Sequence, residues 1–244
     1  MNIVLFEKNE ISCPLKLNDE RAQHILKILH KKEGDTFSCG IIKGMAGKAE
    51  IIQISDEGIK FSFEPESDGK PLNPLKMIIG FPRPIQLKRL LRDVAALGIQ
   101  EVHLTGTELG EKSYMKSNLL ERGTAYKMLL DGTVQAASTH IPELFLHQNL
   151  KECLQEISKN QAELKIALDN VNASENLFSF MQNHAQKFPV IAAIGSERGW
   201  TDNERQLLEK SGFTRCSMGQ RIMRTETAAT VASSIILASS GFLK

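Results

Sequence analysis

Two short turns near the C-terminal end carry the residue types best suited to holding a ligand. The first, Gly195-Ser196-Glu197-Arg198-Gly199, follows an apolar run over 188–194 that reads as a buried strand, because Val and Ile fill it and Pro189 and Gly195 bound it. The second, Gly219-Gln220-Arg221, follows a short strand predicted over 214–218. Glycine admits positive φ and close backbone approach, so two glycine turns at neighbouring strand ends form a crevice in which backbone N–H and C=O groups face a ligand. One strand–glycine turn–helix occurs in most α/β proteins and decides nothing; the pair is the informative feature. Between the turns, Thr201-x-x-Glu204 matches a capping box that starts a helix, and Gly212 stands where a helix would end. An Ala- and Ser-rich last helix starts near Thr225.

The rest of the chain must position these turns. Residues 65–74, rich in Pro, Gly, Ser and Asp, separate a β-patterned region from a βα-patterned one and predict domains 1–70 and 71–244. In the first domain Asn18 is the expected cap of a helix with apolar Ala22, Ile25, Leu26 and Leu29. Its other face, with the loop beyond, carries Arg21, Lys27, Lys31 and Lys32 together with His24 and His30, which by itself reads first as a solvated surface. Strands are expected over 36–39, 49–54 and 58–64, with a hairpin tip at Gly44 and Gly47. In the second domain the pattern predicts a strand over 75–81, a Pro82-Arg83-Pro84 turn, and a helix over 85–97 stopped by Gly98. That helix turns Leu87, Leu90, Leu91 and Val94 inward and presents a basic stripe of Lys88, Arg89 and Arg92. A strand over 102–105, another over 161–168 ending at Asp169-Asn170, and a helix over 174–186 complete the reading. Such alternation predicts an α/β domain with a mainly parallel sheet covered on both faces.

Composition limits the function classes. Of 244 residues, 41% are hydrophobic and 24% charged, as in an ordinary globular protein, and the formal net charge of +1 requires any nucleic-acid site to be a local patch. Aromatics at 6%, with one Trp, argue against a base-stacking platform. Cys13, Cys39, Cys153 and Cys216 are scattered without C-x-x-C spacing, so neither a metal site nor a disulfide framework is expected. The start MNIVLFEKNE lacks a signal-peptide pattern and no apolar run is long enough to span a membrane, so a cytoplasmic location is expected. No G-x-G-x-x-G follows the strand over 75–81, which counts against a standard dinucleotide fold.

IGSERGW, followed further on by MGQRIMRTETAA, resembles the end of the 16S ribosomal RNA (uracil(1498)-N3)-methyltransferase family within the knotted SPOUT methyltransferases. The shared pattern runs through Ile194, Gly195, Glu197, Gly199, Trp200, Thr201 and Glu204, then Gly219, Arg221, Ile222, Arg224, Thr225, Glu226, Thr227 and Ala228. Ser196 replaces a proline, Arg198 a glycine, and Met218 and Met223 leucines. HILKILHKKEGD is similar to the family's N-terminal pattern, with His30 in place of arginine; Ala96 and Val134 also depart from it. The chain is therefore identified as a divergent member.

The resemblance implies a C-terminal SPOUT domain with a deep trefoil knot, a small N-terminal PUA-like β-barrel that binds RNA, and a homodimer. It implies S-adenosyl-L-methionine as methyl donor, uridine N3 of 16S ribosomal RNA in the 30S subunit as acceptor, and no metal. Leu168, Gly195, Glu197, Gly199, Met218, Gly219, Ile222, Met223, Thr227 and Ala228 would hold the donor. Arg224 would meet the negative charge on uracil or grip a phosphate, and Glu226 or Glu197 would take the N3 proton or favour the sulfonium. Glu226 reads equally as a helix N-terminal carboxylate stabilised by the macrodipole. Lys27, Lys31, Lys32, Arg83, Lys88 and Arg92 are the expected RNA contacts. The alternatives are a methyltransferase acting at another RNA position, a non-catalytic RNA-binding or ribosome-assembly factor, and a small-molecule α/β enzyme. Binding of S-adenosylmethionine separates the first reading from the assembly factor.

Overall fold

Period-two alternation builds the N-terminal sheet. The structure, a computed structural model, describes residues 2–117, 123–158, 164–171, 173–185 and 187–243. β1 (Val4–Phe6), β2 (Thr36–Ile41), β3 (Ala46–Ser55) and β4 (Gly58–Ser67) form a four-stranded sheet in chain order, β1 parallel to β2 and the other pairs antiparallel. Along β3, Ala49 and Ile51 are buried while Lys48, Glu50 and Ile52 are exposed, so one face closes over a core with Phe6, Phe37, Ile59 and Phe61. Ile25 packs into the same core from the helical segment.

That segment differs from expectation. The cap is Asp19, not Asn18, because the Asp19 carboxylate accepts from both the Arg21 N–H and the Arg21 side chain. Instead of one regular helix, α1 (Glu20–Gln23) widens into a π-helical turn over His24–Ile28. The compact unit containing these elements comprises Met1–Leu72 together with Leu130–Ile141. In it Val134 packs with Ile3, Leu5 and Ala46, and the Ser138 hydroxyl donates to the Gly69 and Lys70 carbonyls.

The second unit, Asn73–Leu129 with Pro142–Lys244, follows the βα alternation. Its elements are β5 (Asn73–Gly80), α2 (Pro84–Ala96), β6 (Ile99–Thr105), the start of α3 (Thr124–Gln135), β7 (Glu143–His147), α4 (Leu150–Ile157), β8 (Leu164–Leu168), β9 (Glu175–Asn176), α5 (Leu177–His184), β10 (Val190–Ile194), α6 (Asp202–Lys210), β11 (Thr214–Ser217) and α7 (Thr225–Ser239). Residues 161–163 and 186, which the expected strand and helix included, lie outside the described residues. The strand order is β7-β6-β5-β10-β8-β11-β9, every neighbouring pair parallel.

Every residue of β10 is buried, as a central strand covered on both faces requires. Ile78, Ile191 and Ala193 pack under α4 and α6, with Trp200, Leu208 and Phe213. On the opposite face Ser233 of α7 meets Met77, and α7 packs against α2 and α5. Small buried residues of α7, including Ala228, Ala229 and Ala232, permit that close approach. α2 buries Leu87, Leu90, Leu91 and Val94, the stripe its periodicity predicts. Among the described residues no helix is long and apolar enough to cross a membrane.

Candidate functional site

β8, β10 and β11 end side by side, and the loops leaving them enclose a cavity of about 250 Å³. Its walls come from Leu168 and Asp169, the turn Gly195–Gly199, Met218 and Gly219, the segment Arg221 to Met223, and Thr225 and Ala228 of α7. The glycine turn is tight for a steric reason. A Cβ on Gly195 would lie 2.8 Å from the Gly199 carbonyl carbon, so only glycine lets the turn fold back on itself. Gly199 donates its N–H to the Ser196 carbonyl at 2.8 Å, and at φ 74° it occupies the left-handed region. Trp200, almost wholly buried, donates its indole N–H to the Leu168 carbonyl at 3.1 Å and ties the turn to the end of β8. The capping box then starts α6: Glu204 accepts from the Thr201 N–H at 3.0 Å, and its other oxygen accepts from the Glu108 N–H at 2.9 Å.

One wall is charged, and its partners come from distant segments. The Asp169 carboxylate is buried and lies 2.7 Å from Arg205 Nε and 3.5 Å from Arg215 Nη1. The bond to Asp169 is the main cause holding the Arg205 guanidinium above its ordinary pKa. Sequence reading missed this set, since Asp169 and Arg205 stand 36 residues apart with no local pattern linking them. It also passed over Ser196, noted only as a replacement for proline. The Ser196 hydroxyl oxygen is buried at the pocket wall without a hydrogen-bond partner among the described residues. Such an orphan costs stability unless something else satisfies it.

Nine of the ten expected donor-binding residues line the cavity: Leu168, Gly195, Glu197, Gly199, Met218, Gly219, Ile222, Met223 and Ala228. Thr227 does not; it is exposed on the first turn of α7. Arg224 and Glu226 flank the lining residue Thr225 without lining the cavity themselves. Arg224 is exposed and, among the described residues, its guanidinium makes no hydrogen bond or ion pair, whereas Glu226 is buried.

The expected RNA contacts are placed differently from one another. Arg83 caps α2 with its guanidinium 3.2 Å from the Glu197 carboxylate; a hydrogen bond to Tyr114 first, then the Glu197 charge, raise its pKa. Lys88 and Arg92 are exposed on α2. Lys27 and Lys32 are exposed and Lys31 is half-buried. Arg21 does not share that basic face: it turns inward to Glu10 and Asp19, both at 2.8 Å.

A family model described as an RNA methyltransferase domain matches residues 69–237. The ribosomal RNA small subunit methyltransferase E of Treponema pallidum (strain Nichols) is 42% identical over 246 residues, 98% of this chain and 91% of that protein. The ribosomal RNA small subunit methyltransferase E 1 of Borreliella burgdorferi is 36% identical over 242 residues, 98% of each chain. In fold, the chain is similar to a ribosomal RNA small subunit methyltransferase E from Neisseria gonorrhoeae whose crystal structure has S-adenosyl methionine bound. That likeness has a TM-score of 0.77 at 20% identity and covers 98% of this chain and 97% of the other.

Proposed function

Because the chain belongs to the RNA methyltransferase family, among the ribosomal RNA small subunit methyltransferase E proteins, we propose that it methylates N3 of a uridine in 16S ribosomal RNA with S-adenosylmethionine as donor. The target is the uridine for which the resembled family is named, presented in the 30S subunit. The observation that carries this reading is the crevice at the ends of β8, β10 and β11. It combines apolar walls, a glycine turn that keeps its backbone open, and one buried hydroxyl still lacking a partner.

The donor fits these residues. Leu168, Ile194, Met218 and Ala228 offer apolar surface to an adenine ring, the Ser196 hydroxyl and loop backbone offer hydrogen bonds, and Glu197 offers a carboxylate to a cation. S-adenosylmethionine supplies an activated methyl group on a cationic sulfur. The chain's own task is to align the acceptor nitrogen with that methyl, which in favourable cases is worth roughly 7–11 kcal/mol. N3 must also lose its proton, and Glu226 or Glu197 is the base, Glu197 being the one that lines the cavity. Arg224, beside Thr225 and without a partner among the described residues, supplies the cation that meets charge developing on the uracil oxygens.

The same reading extends to the architecture. The first unit acts as a PUA-like barrel that grips RNA phosphates through Lys27, Lys31 and Lys32, with the domain division near residue 70, and Arg83, Lys88 and Arg92 add contacts from α2. The last helix is threaded into a deep trefoil knot, a rare exception to ordinary topology; the small residues that α7 buries support this. The enzyme works as a cytoplasmic homodimer, supported by exposed apolar groups such as Ile222, Phe242 and Leu243. Methyl transfer needs no metal.

Gly195→Val tests the donor site. Its side chain would press on the Gly199 backbone, and S-adenosylmethionine affinity measured by calorimetry should fall by about 10- to 100-fold or more, while the far-UV spectrum stays native. Wild-type affinity in that variant would place the donor elsewhere. Absence of donor binding by the wild-type protein would favour a non-catalytic assembly factor. Mass mapping of methylated nucleosides in ribosomal RNA, from cells with and without the gene, identifies the modified base.

A further inference from the structure

β6, β7 and α4 enclose a polar cluster inside an otherwise apolar layer. His103 in β6, His147 at the end of β7 and Cys153 in α4 are all buried, and each offers a ligating atom within 4.8 Å of the others. His103 Nδ1 and His147 Nε2 face each other at 3.0 Å. Each ring turns its other nitrogen toward a carboxylate: His103 Nε2 lies 3.1 Å from Glu101 Oε2, and His147 Nδ1 lies 3.7 Å from Glu156 Oε2. Glu101 is itself anchored by the buried Lys76 at 2.6 Å.

Two neutral imidazoles cannot satisfy this arrangement, because each carries a single N–H. If His147 donates to His103 Nδ1, then His103 can donate to Glu101. His147 Nδ1 is then a bare lone pair, and that atom is indeed buried without a hydrogen-bond partner among the described residues. The opposite tautomer aims a bare His103 Nε2 at the Glu101 carboxylate, which is worse. A further proton would place a charge in the buried layer.

We infer that His103, His147 and Cys153 form a binding site for a borderline transition-metal cation of the Zn²⁺ class. A cation on the two facing nitrogens removes the conflict: His103 keeps its proton toward Glu101, and the His147 proton moves from Nε2 to Nδ1, toward Glu156. Both rings then have the carboxylate partner that orients and strengthens histidine ligands. Two imidazole nitrogens and a thiolate suit Zn²⁺, whereas Mg²⁺ and Ca²⁺ take oxygen donors. Bond lengths of about 2.0–2.1 Å to nitrogen and about 2.3 Å to sulfur set tetrahedral ligand atoms roughly 3.3–3.7 Å apart. The ion is therefore admitted as the two rings part slightly and the Cys153 sulfur, within 4.8 Å of both nitrogens, closes to bonding distance. The protons balance. Cys153 binds as the thiolate, so uptake expels one thiol proton to solvent while both imidazole protons stay. The bound ion pins α4 to the β6–β7 edge and takes no part in methyl transfer.

The test uses the full chain, stripped of metal by a chelator and titrated with Co²⁺ as a spectroscopic stand-in. A Cys13→Ser background removes the exposed thiol. The expected result is one ion per chain, held by the three side chains and a water, with intense visible bands of four-coordinate cobalt and a thiolate-to-cobalt charge-transfer band. Cys153→Ala should lose the charge-transfer band, and Zn²⁺ should raise the melting temperature of the Cys153-containing protein but not of the alanine variant. If Cys153→Ala does not fold, Glu156→Gln at the half-exposed carboxylate should weaken Co²⁺ by about 10- to 100-fold. No Co²⁺ uptake by the folded, Cys153-containing protein, an unchanged spectrum in Cys153→Ala, or unchanged affinity in Glu156→Gln overturns the inference. The cluster is then only a buried hydrogen-bond relay.

Discussion

Arg21 and Arg224 both stand at the start of a helix, and the fold gives them opposite surroundings. Arg21 spends its donors on protein: Glu10, Asp19 and the Leu5 carbonyl accept from it, and its guanidinium lies 5.0 Å from the centre of the Phe6 ring. Among the described residues Arg224 spends none on side chains, yet it adjoins Met223 and Thr225, which line the cavity. A guanidinium has five N–H donors and no acceptor. Where carboxylates already take those donors the arginine holds a fold together; where they are left free next to pocket-lining residues they are available to a ligand.

The largest effect expected from this contrast is on turnover. Arg224→Ala should slow single-turnover methylation of 30S subunits at saturating enzyme by a factor on the order of 100–1000, with donor affinity unchanged. A wild-type rate at saturation would leave Arg224 as an RNA anchor and erase its side of the comparison.

Arg21→Ala should act on stability instead. Denaturant unfolding should show a loss of about 1.5–3 kcal/mol, toward the lower end because the Glu10 side chain is 38% exposed and solvent screens it. The pH dependence carries the same signature. Hydrogen bonds from Arg21 are the main cause holding the Glu10 and Asp19 carboxyls below their ordinary values. A depressed folded pKa contributes stability that is present above the unfolded value, about 4, and is lost as pH falls through the folded value. Wild-type protein should therefore lose stability below about pH 4 more steeply than Arg21→Ala. Equal slopes would mean that the ion pairs seen here do not persist in solution.

The smallest effect belongs to the lysines beside Arg21. Replacing Lys27, Lys31 and Lys32 with alanine should weaken RNA binding and flatten its logarithmic salt dependence by about 0.7–0.9 per lost phosphate contact. Bound-state turnover should hold. An unchanged salt slope would make these lysines a solvated surface, the reading their pattern alone favours.

What the sequence determined by itself was local or contiguous. The β10 strand, the capping box of α6, the buried stripe of α2 and the positive-φ glycines Gly199, Gly212 and Gly219 follow from backbone and periodicity rules acting over a few residues. Nine of the ten expected pocket residues were legible for the same reason, since two unbroken motifs carry eight of them and Leu168 ends a strand. β7, α3 and α4 went unpredicted, and the helix after the N-terminal cap widened into a π-helical turn. The cap itself shifted by one residue because Asp19 had a nearby arginine to bind. Only the tertiary structure decided which polar groups found partners. It sent Arg205 to Asp169, left the Ser196 hydroxyl unpaired at the pocket, and set His103 against His147 across 44 residues of chain. Such pairings depend on strand order and on burial that removes water as a competitor, and neither is encoded in the spacing of residues along the chain.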